Sequence, residues 1–182
     1  MSDPILSTAR LRLTKLVKAD AEAMFISRAD PEVCRYQTFE PGKTADVQEW
    51  VAALELNAFD TPGTRFQFAI RVKETEEMIG DLGAHFIAED PRQVEIGFTL
   101  APRHQGKGYA TEAVTALLDH LFGELGKHRV FASVDPRNTA CLALLERLGL
   151  RREAHFHRSL WFKGEWVDDV VYAILRSEWQ GR

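Results

Sequence analysis

Cysteine is nearly absent. The 182-residue chain holds only Cys34 and Cys141, too few for a disulfide framework, and neither stands in a Cys/His spacing of the zinc-binding kind, so no structural disulfide or metal is expected. No stretch approaches the roughly 18 apolar residues of a membrane span. The start, MSDPILSTARLRL, has no basic segment followed by an apolar one. The expectation is a soluble, cytoplasmic protein without membrane contact. Positive charge is also scarce: 23 Lys and Arg against 27 Asp and Glu leave a formal charge of −4. No basic run alternates with aromatics, so no nucleic-acid partner is expected. Two phosphate-loop signatures are missing as well. No GxxxxGK[ST] string occurs, and Thr111 stands where the fingerprint GxGxxG would need its third glycine.

What is present is enough for one well-buried domain across residues 1–182, with 45% hydrophobic and 27% charged residues. Alternation in RLRLTKLV predicts a first strand. Asp20 then reads as the N-cap of a short helix carrying Met24 and Phe25, stopped by Pro31. Val47, Trp50, Val51 and Leu54, at i, i+3, i+4 and i+7, predict a helix from Thr44 that ends before the breaker cluster at 60–63. Phe66, Phe68, Ile70 and Val72 alternate and, with MIGDLGAHFI after the charged KETEE turn, predict a hairpin. QVEIGFTL (93–100) is a further strand, in which Gly97 predicts a bulge or a close approach of ligand to backbone. Val114, Leu117, Leu118 and Leu121 mark a helix ending near Gly123 or Gly126. HRVFASV is a strand, and Asn138 caps a helix striped by Cys141, Leu144, Leu145 and Leu148, with Gly149 past its end. Two last strands, near 152–160 and 166–175, turn at Lys163 and Gly164.

Between the strand at 93–100 and the helix after it lies RHQGKGYA (103–110). The strand–helix–strand order there predicts a right-handed crossover and therefore two parallel strands. A glycine pair at such a junction permits a tight turn and lets a ligand reach backbone N–H groups without a Cβ in the way. The first N–H groups of the helix lack internal partners and the helix dipole adds positive potential, so the expected guest is a phosphate. The same glycines would also serve a turn used only for packing.

With the other phosphate loops excluded, R-x-x-G-x-G from Arg103 to Gly108 resembles the acetyl-CoA turn of the GNAT superfamily of N-acetyltransferases. The likeness extends through TARLRLTKL, EIGFTLAPRHQGKGYATEAV, DPRNTACLALLERLGLRREA and KGEWVDDVVYAILRSEW, and is weakest over 30–65. More narrowly, the chain resembles the branch containing the RimJ/RimL ribosomal-protein N-terminal acetyltransferases. The resemblance implies an α/β fold with a mixed twisted sheet of about seven strands, about four flanking helices and a central parallel βαβ unit. It implies that acetyl-CoA is the cosubstrate, without a metal. Backbone N–H groups of Gln105, Gly106, Lys107, Gly108, Tyr109 and Ala110 would hold the pyrophosphate. The pantetheine arm would pair along Phe98, Thr99 and Leu100 in a gap beside the next strand and touch Asn138. Arg103, His104 and Lys107 are further candidates for phosphate contact, though solvated basic side chains would read the same.

Acetyl transfer to an amine needs a neutral nucleophile, donors for the developing oxyanion and a proton for the leaving thiolate. An α-amine of pKa roughly 7.7 to 8.0 is about a third neutral near pH 7.4, whereas a lysine is neutral about one part in a thousand. Glu95 is the candidate base, through a water; its other reading is a surface carboxylate. A backbone N–H near Phe98 would meet the oxyanion. Many GNAT enzymes place a Tyr acid where this chain has Leu145. The RimJ/RimL-like branch often has a Ser three residues after the Asn, here Cys141. A thiol in the first turn of a helix is expected to have a lowered pKa and can donate a proton; the same cysteine also reads as a small buried hydrophobe. The remaining histidines, His155 and His157 among them, show no ligand spacing.

The resulting expectation is acetyl transfer to a primary amine, with a protein N-terminus as one acceptor. A small amine such as an amino acid, polyamine or aminoglycoside is the alternative acceptor. A non-catalytic acyl-CoA-binding module is the alternative from another class. Apolar positions on the last strands are compatible with a homodimer.

Overall fold

In the computed structural model, which describes residues 5–37 and 42–181, the alternating segments become strands of one sheet. They are β1 (Leu6–Ser7), β2 (Leu11–Lys15), β3 (Arg65–Val72), β4 (Met78–Phe86), β5 (Gln93–Leu100), β6 (Arg129–Val134), β7 (Arg151–Phe162) and β8 (Glu165–Leu175), ordered β1-β2-β3-β4-β5-β6-β8-β7. All neighbours are antiparallel except β5 and β6, which are parallel as the crossover requires. The strand beyond the expected seven is β1, whose two residues are too few to show a period.

The helices are α1 (Ala21–Arg28), α2 (Pro31–Cys34), α3 (Thr44–Glu55), α4 (Tyr109–Asp119), α5 (Thr139–Arg147) and α6 (Arg176–Gln180). The four expected from apolar spacing are α1, α3, α4 and α5; α2 and α6 are each a single turn or little more. After α4 the chain widens into a π-helical turn over His120–Glu124, closed by the Leu125 N–H donating to His120 O at 3.1 Å. Among the described residues no helix is long and apolar enough to cross a membrane.

Alternation divides β3 between two cores. Phe66, Phe68 and Ile70, each no more than 2% exposed, join Val114, Leu117, Leu118 and Leu145 in the larger cluster under α4 and α5. Ala69 faces the smaller cluster of Met24, Val47 and Val51 under α1 and α3. The sheet is thus covered on both faces, and each fully buried large apolar side chain contributes about 1.5–3 kcal/mol. At the far edge the β7–β8 turn has Lys163 at φ +47° and Gly164 at φ +86°, the left-handed pair that a two-residue hairpin demands. Phe156, Leu160, Trp161 and Trp166 stay exposed there.

Two local expectations fail. Asp20 precedes α1 but does not cap it; its carboxylate accepts from the Val17 N–H and pairs with Arg71. A nearby guanidinium and an unpaired N–H upstream outcompete the helix end for the same oxygens. Gly97 makes no bulge: it pairs with Gly83 in a β4–β5 register that runs unbroken from Gly80↔Leu100 to Phe86↔Val94. A Cβ at Gly97 would meet nothing within 4 Å, so the residue leaves an open wall instead of bending the strand.

Candidate active site

The glycine turn is held in a conformation other residues resist. Gly106 has φ +72° and Gly108 φ +80°, the left-handed region that L side chains rarely adopt, and a Cβ at Gly106 would project into open space. No backbone partner receives the N–H groups of Gly106, Lys107 or Gly108 among the described residues. Those of Tyr109 and Ala110, in the first turn of α4, have none inside the helix. Four of these residues, Gly106, Gly108, Tyr109 and Ala110, line one cleft, at the kind of helix start that accepts a phosphate. Gln105 departs from the expectation: its N–H donates to Pro102 O (3.1 Å), and its side-chain amide to Leu100 O (3.0 Å), so it ties the turn to the end of β5.

The basic side chains of the turn behave differently from one another. His104 and Gln105 line the cleft beside the turn; Arg103 and Lys107 do not. The Arg103 guanidinium reaches Glu77 and donates to His104 Nε2 at 3.0 Å. Its hydrogen bond is the main reason the Glu77 carboxyl lies below its ordinary value. Lys107 offers its carbonyl to Arg10, whose guanidinium also covers the Tyr109 ring at 4.5 Å and pairs with Glu112 at 2.6 Å. Arg10 is a brace for the turn that periodicity does not reveal.

Beside the turn the sheet opens. β5 and β6 pair only from Gln93↔Arg129 to Glu95↔Phe131, after which β5 stays with β4 and β6 stays with β8. The Ala101 N–H donates to Ile79 O on the β4 side (2.9 Å). Groups alternate along a strand, so Phe98 turns its N–H and C=O away from β4 and into the gap, as does Leu100. The gap leads into a cleft of about 500 Å³ that Phe98, Thr99, Leu100, Asn138 and Cys141 share with the glycine turn. The splaying expected beside the pantetheine arm is present without the bulge.

Asn138 is the N-cap of α5, its Oδ1 accepting from the Cys141 N–H at 3.2 Å. Cys141 is not acidified. Burial pushes its thiol up to about 12, against the lowering expected from a helix start. The desolvated wall outweighs the dipole, and the Asn138 carbonyl already takes the nearest free N–H. Leu145 is fully buried in the larger core, so the position that carries Tyr in many relatives only packs here.

On the other side of the gap lies a second cleft of about 370 Å³. Because no bulge interrupts β5, Glu95 keeps the face opposite Ile96, lines this cleft, and sits 3.3 Å from His85 Nδ1 and 3.6 Å from Arg65. Deeper in, Asp81 pairs with Arg28 at 2.7 Å and accepts from the Gln67 amide at 2.7 Å. The two clefts share Tyr36, Gln37, Phe98, Thr99, Asn138 and Cys141, so one passage crosses the sheet where β5 and β6 part. Sequence reasoning missed Tyr36, whose hydroxyl donates to Arg137 O at 3.2 Å, and the Arg28–Asp81 pair. Asp81 in the apolar run MIGDLGAHF was the available signal, since a charge inside a buried strand requires a partner.

The histidines of β7 also correct the expectation. His155 and His157 approach Asp168 of β8 closely enough for the three to be possible metal ligands. Two histidines at i and i+2 share one face of a strand, a spacing the sequence displays.

Comparison with known proteins agrees with this geometry. The uncharacterized N-acetyltransferase p20 of Bacillus licheniformis is 34% identical over 177 residues, covering 97% of this chain and 98% of its own. The ribosomal protein uS5-alanine N-acetyltransferase of Escherichia coli is 29% identical over 132 residues, 71% of this chain and 68% of that one. The crystal structure of a GNAT-family acetyltransferase from Bacillus anthracis superposes with a TM-score of 0.84 at 29% identity, over 95% of this chain and 99% of that one. Residues 10–151 match the acetyltransferase (GNAT) domain family. The chain belongs to the GNAT family and is an acetyl-CoA-dependent N-acetyltransferase.

Proposed function

We propose that the acceptor is the α-amino group of a peptide or protein N-terminus, as in the RimJ/RimL-like branch. The observation that carries this reading is the passage between the two clefts, because among the described residues each carboxylate along its acceptor side is already matched. Asp81 faces Arg28, Glu95 faces Arg65 and His85, and Asp135 faces Arg137. A polyamine carries several positive charges and would need uncompensated carboxylates to replace its hydration. An α-amine presents one, and part of its population is neutral near pH 7.4. The uS5-alanine acetyltransferase likeness supports the same acceptor.

Acetyl-CoA supplies the acetyl group as a thioester. The N–H groups of residues 106–110 hold its pyrophosphate, Phe98 and Leu100 pair with its arm, and Asn138 lies against it. The Phe98 N–H meets the carbonyl oxygen as charge develops, a dipole already in place that costs no reorganisation. Glu95 removes a proton from the amine through a water and passes it to solvent. The Cys141 S–H, which stays protonated, donates a hydrogen bond to the leaving sulfur, and that sulfur takes its proton from water. Cys141 does not serve as a nucleophile, since almost none of it is ionised near neutral pH. A homodimer through the exposed Trp161 and Trp166 edge fits the same reading.

Release of CoA thiol across acceptors tests the proposal. Peptides with a free N-terminal amine should be turned over and the same peptides blocked at that amine should not. Turnover of spermidine or lysine side chains in preference to free N-termini would contradict it.

A further inference from the structure

Away from the cleft, β7 departs from regular pairing where its histidines lie. Its register with β8 slips between Phe156↔Asp169 and Leu160↔Val167, and Arg158 sits inside the slip at φ +46°. Asp168, opposite the slip, closes it by accepting from the Arg158 N–H at 2.9 Å through Oδ1. That leaves Oδ2 facing both imidazoles, 2.7 Å from His155 Nε2 and 3.1 Å from His157 Nδ1. The two rings lie 4.2 Å apart, and the three ligand atoms fall within 4.8 Å of one another.

We propose that His155 Nε2, His157 Nδ1 and Asp168 Oδ2 form a binding site for a borderline divalent cation of the Zn²⁺ class. Two imidazoles and one carboxylate are the donor set that such ions prefer over Mg²⁺ or Ca²⁺, which favour all-oxygen shells. Ligand bonds of about 2.0–2.2 Å place donors of a tetrahedral ion roughly 3.3 Å apart. The carboxylate must therefore move some tenths of an ångström away from each ring nitrogen, and the two ring nitrogens, within 4.8 Å of each other, must settle at a similar spacing. Each imidazole presents a lone pair by carrying its proton on the other ring nitrogen. The Arg158 N–H fixes the carboxylate from behind, in the manner of an outer-shell partner. His157 is 76% exposed in its side chain, so the ion has an open approach, and its remaining positions are taken by water or by a group from outside. The cation would also sit near the acceptor side: Asp168 is close enough for its charge to act on Asp135, which lines the second cleft.

The test is equilibrium dialysis of chelator-treated full-length protein against Zn²⁺, with Mg²⁺ in parallel, on wild type, His157→Ala, His155→Ala/His157→Ala and Asp168→Asn. Thermal melting and CoA binding report whether each variant is folded. The expected result is one Zn²⁺ per chain at micromolar free metal and no Mg²⁺ uptake. Each single variant should weaken binding about tenfold or more, and the double variant should abolish it while CoA binding persists. Absence of Zn²⁺ uptake by the wild type overturns the proposal, as does uptake that the folded double variant retains or that Cys34→Ser removes. If the double variant does not fold, Asp168→Asn decides by the same criterion, and should it also fail to fold, His157→Ala does.

Discussion

Arg28 of α1 and Asp81 of β4 meet at 2.7 Å with side chains only 6% and 2% exposed, one of the most deeply buried ion pairs among the described residues. It joins the helical cover of the acceptor side to the centre of the sheet. Asp81 Oδ2 has no hydrogen-bond partner among the described residues, so the pair is matched in charge but not saturated.

Breaking that pair from one side leaves a buried charge uncompensated, a change that costs about 3–5 kcal/mol. Asp81→Ala is therefore expected to lower the melting temperature strongly, and Arg28→Met with Asp81→Leu to recover part of the loss. Calorimetric or denaturant unfolding of the single and double variants checks this. Additive losses in the double variant would contradict it.

The Cys141 thiol should stay protonated in the folded protein. Its folded pKa, about 12, lies above the ordinary 9.0. The folded state therefore holds the proton more tightly, and the associated stability is present below pH 9 and lost as pH rises through about 12. Iodoacetamide at pH 8 should label Cys141 slowly in the folded protein and quickly after denaturation, as read by mass spectrometry. Cys141→Ala removes one hydrogen-bond donor and should lower kcat by up to roughly tenfold, with little change in acetyl-CoA binding.

Glu95→Gln should separate acceptors. A base matters less for an α-amine than for a lysine amine, which is almost wholly protonated at neutral pH. The variant should lose more activity towards a lysine side chain than towards a free N-terminus, and steady-state rates at matched pH give the comparison. Equal losses would argue that Glu95 acts on folding or binding instead of on the proton.

Glu112 links the first strands to the cofactor turn. Burial works to raise its pKa, but hydrogen bonds from Thr8 and from the backbone and side chain of Arg10 outweigh it, and the net shift is downward. A depressed carboxyl contributes stability above its ordinary value of 4.5 that is lost as pH falls through the folded value. Glu112→Gln should cost roughly 1.5–3 kcal/mol at neutral pH and flatten the acid limb of the unfolding profile. CoA affinity should fall with it, since Arg10 also holds the Lys107 carbonyl.

The sequence displayed the elements whose periods are local. QVEIGFTL is β5 residue for residue, and Asn138 and Gly149 bound α5 as the capping pattern requires. The glycines at 106 and 108 were legible because only glycine accepts their φ without strain. Less legible was whatever depends on a partner distant in the chain. Gly97 looked like a bulge because nothing local shows that Gly83 faces it. Cys141 looked acidified because its packing against the larger core is not written in the first turn of a helix. Arg10, Tyr36 and Arg28 gained their places from partners 53 to 102 positions away. The alternative of a binding module without turnover does not survive membership of an enzyme family that covers 10–151.

Amide hydrogen exchange with and without CoA tests the central assignment most directly. The N–H groups of residues 106–110 and of Phe98 should become protected when CoA is added. The Gln105 N–H, already bonded to Pro102, should change little. Saturable CoA binding that leaves 106–110 and Phe98 unprotected would place the cofactor elsewhere and contradict the account.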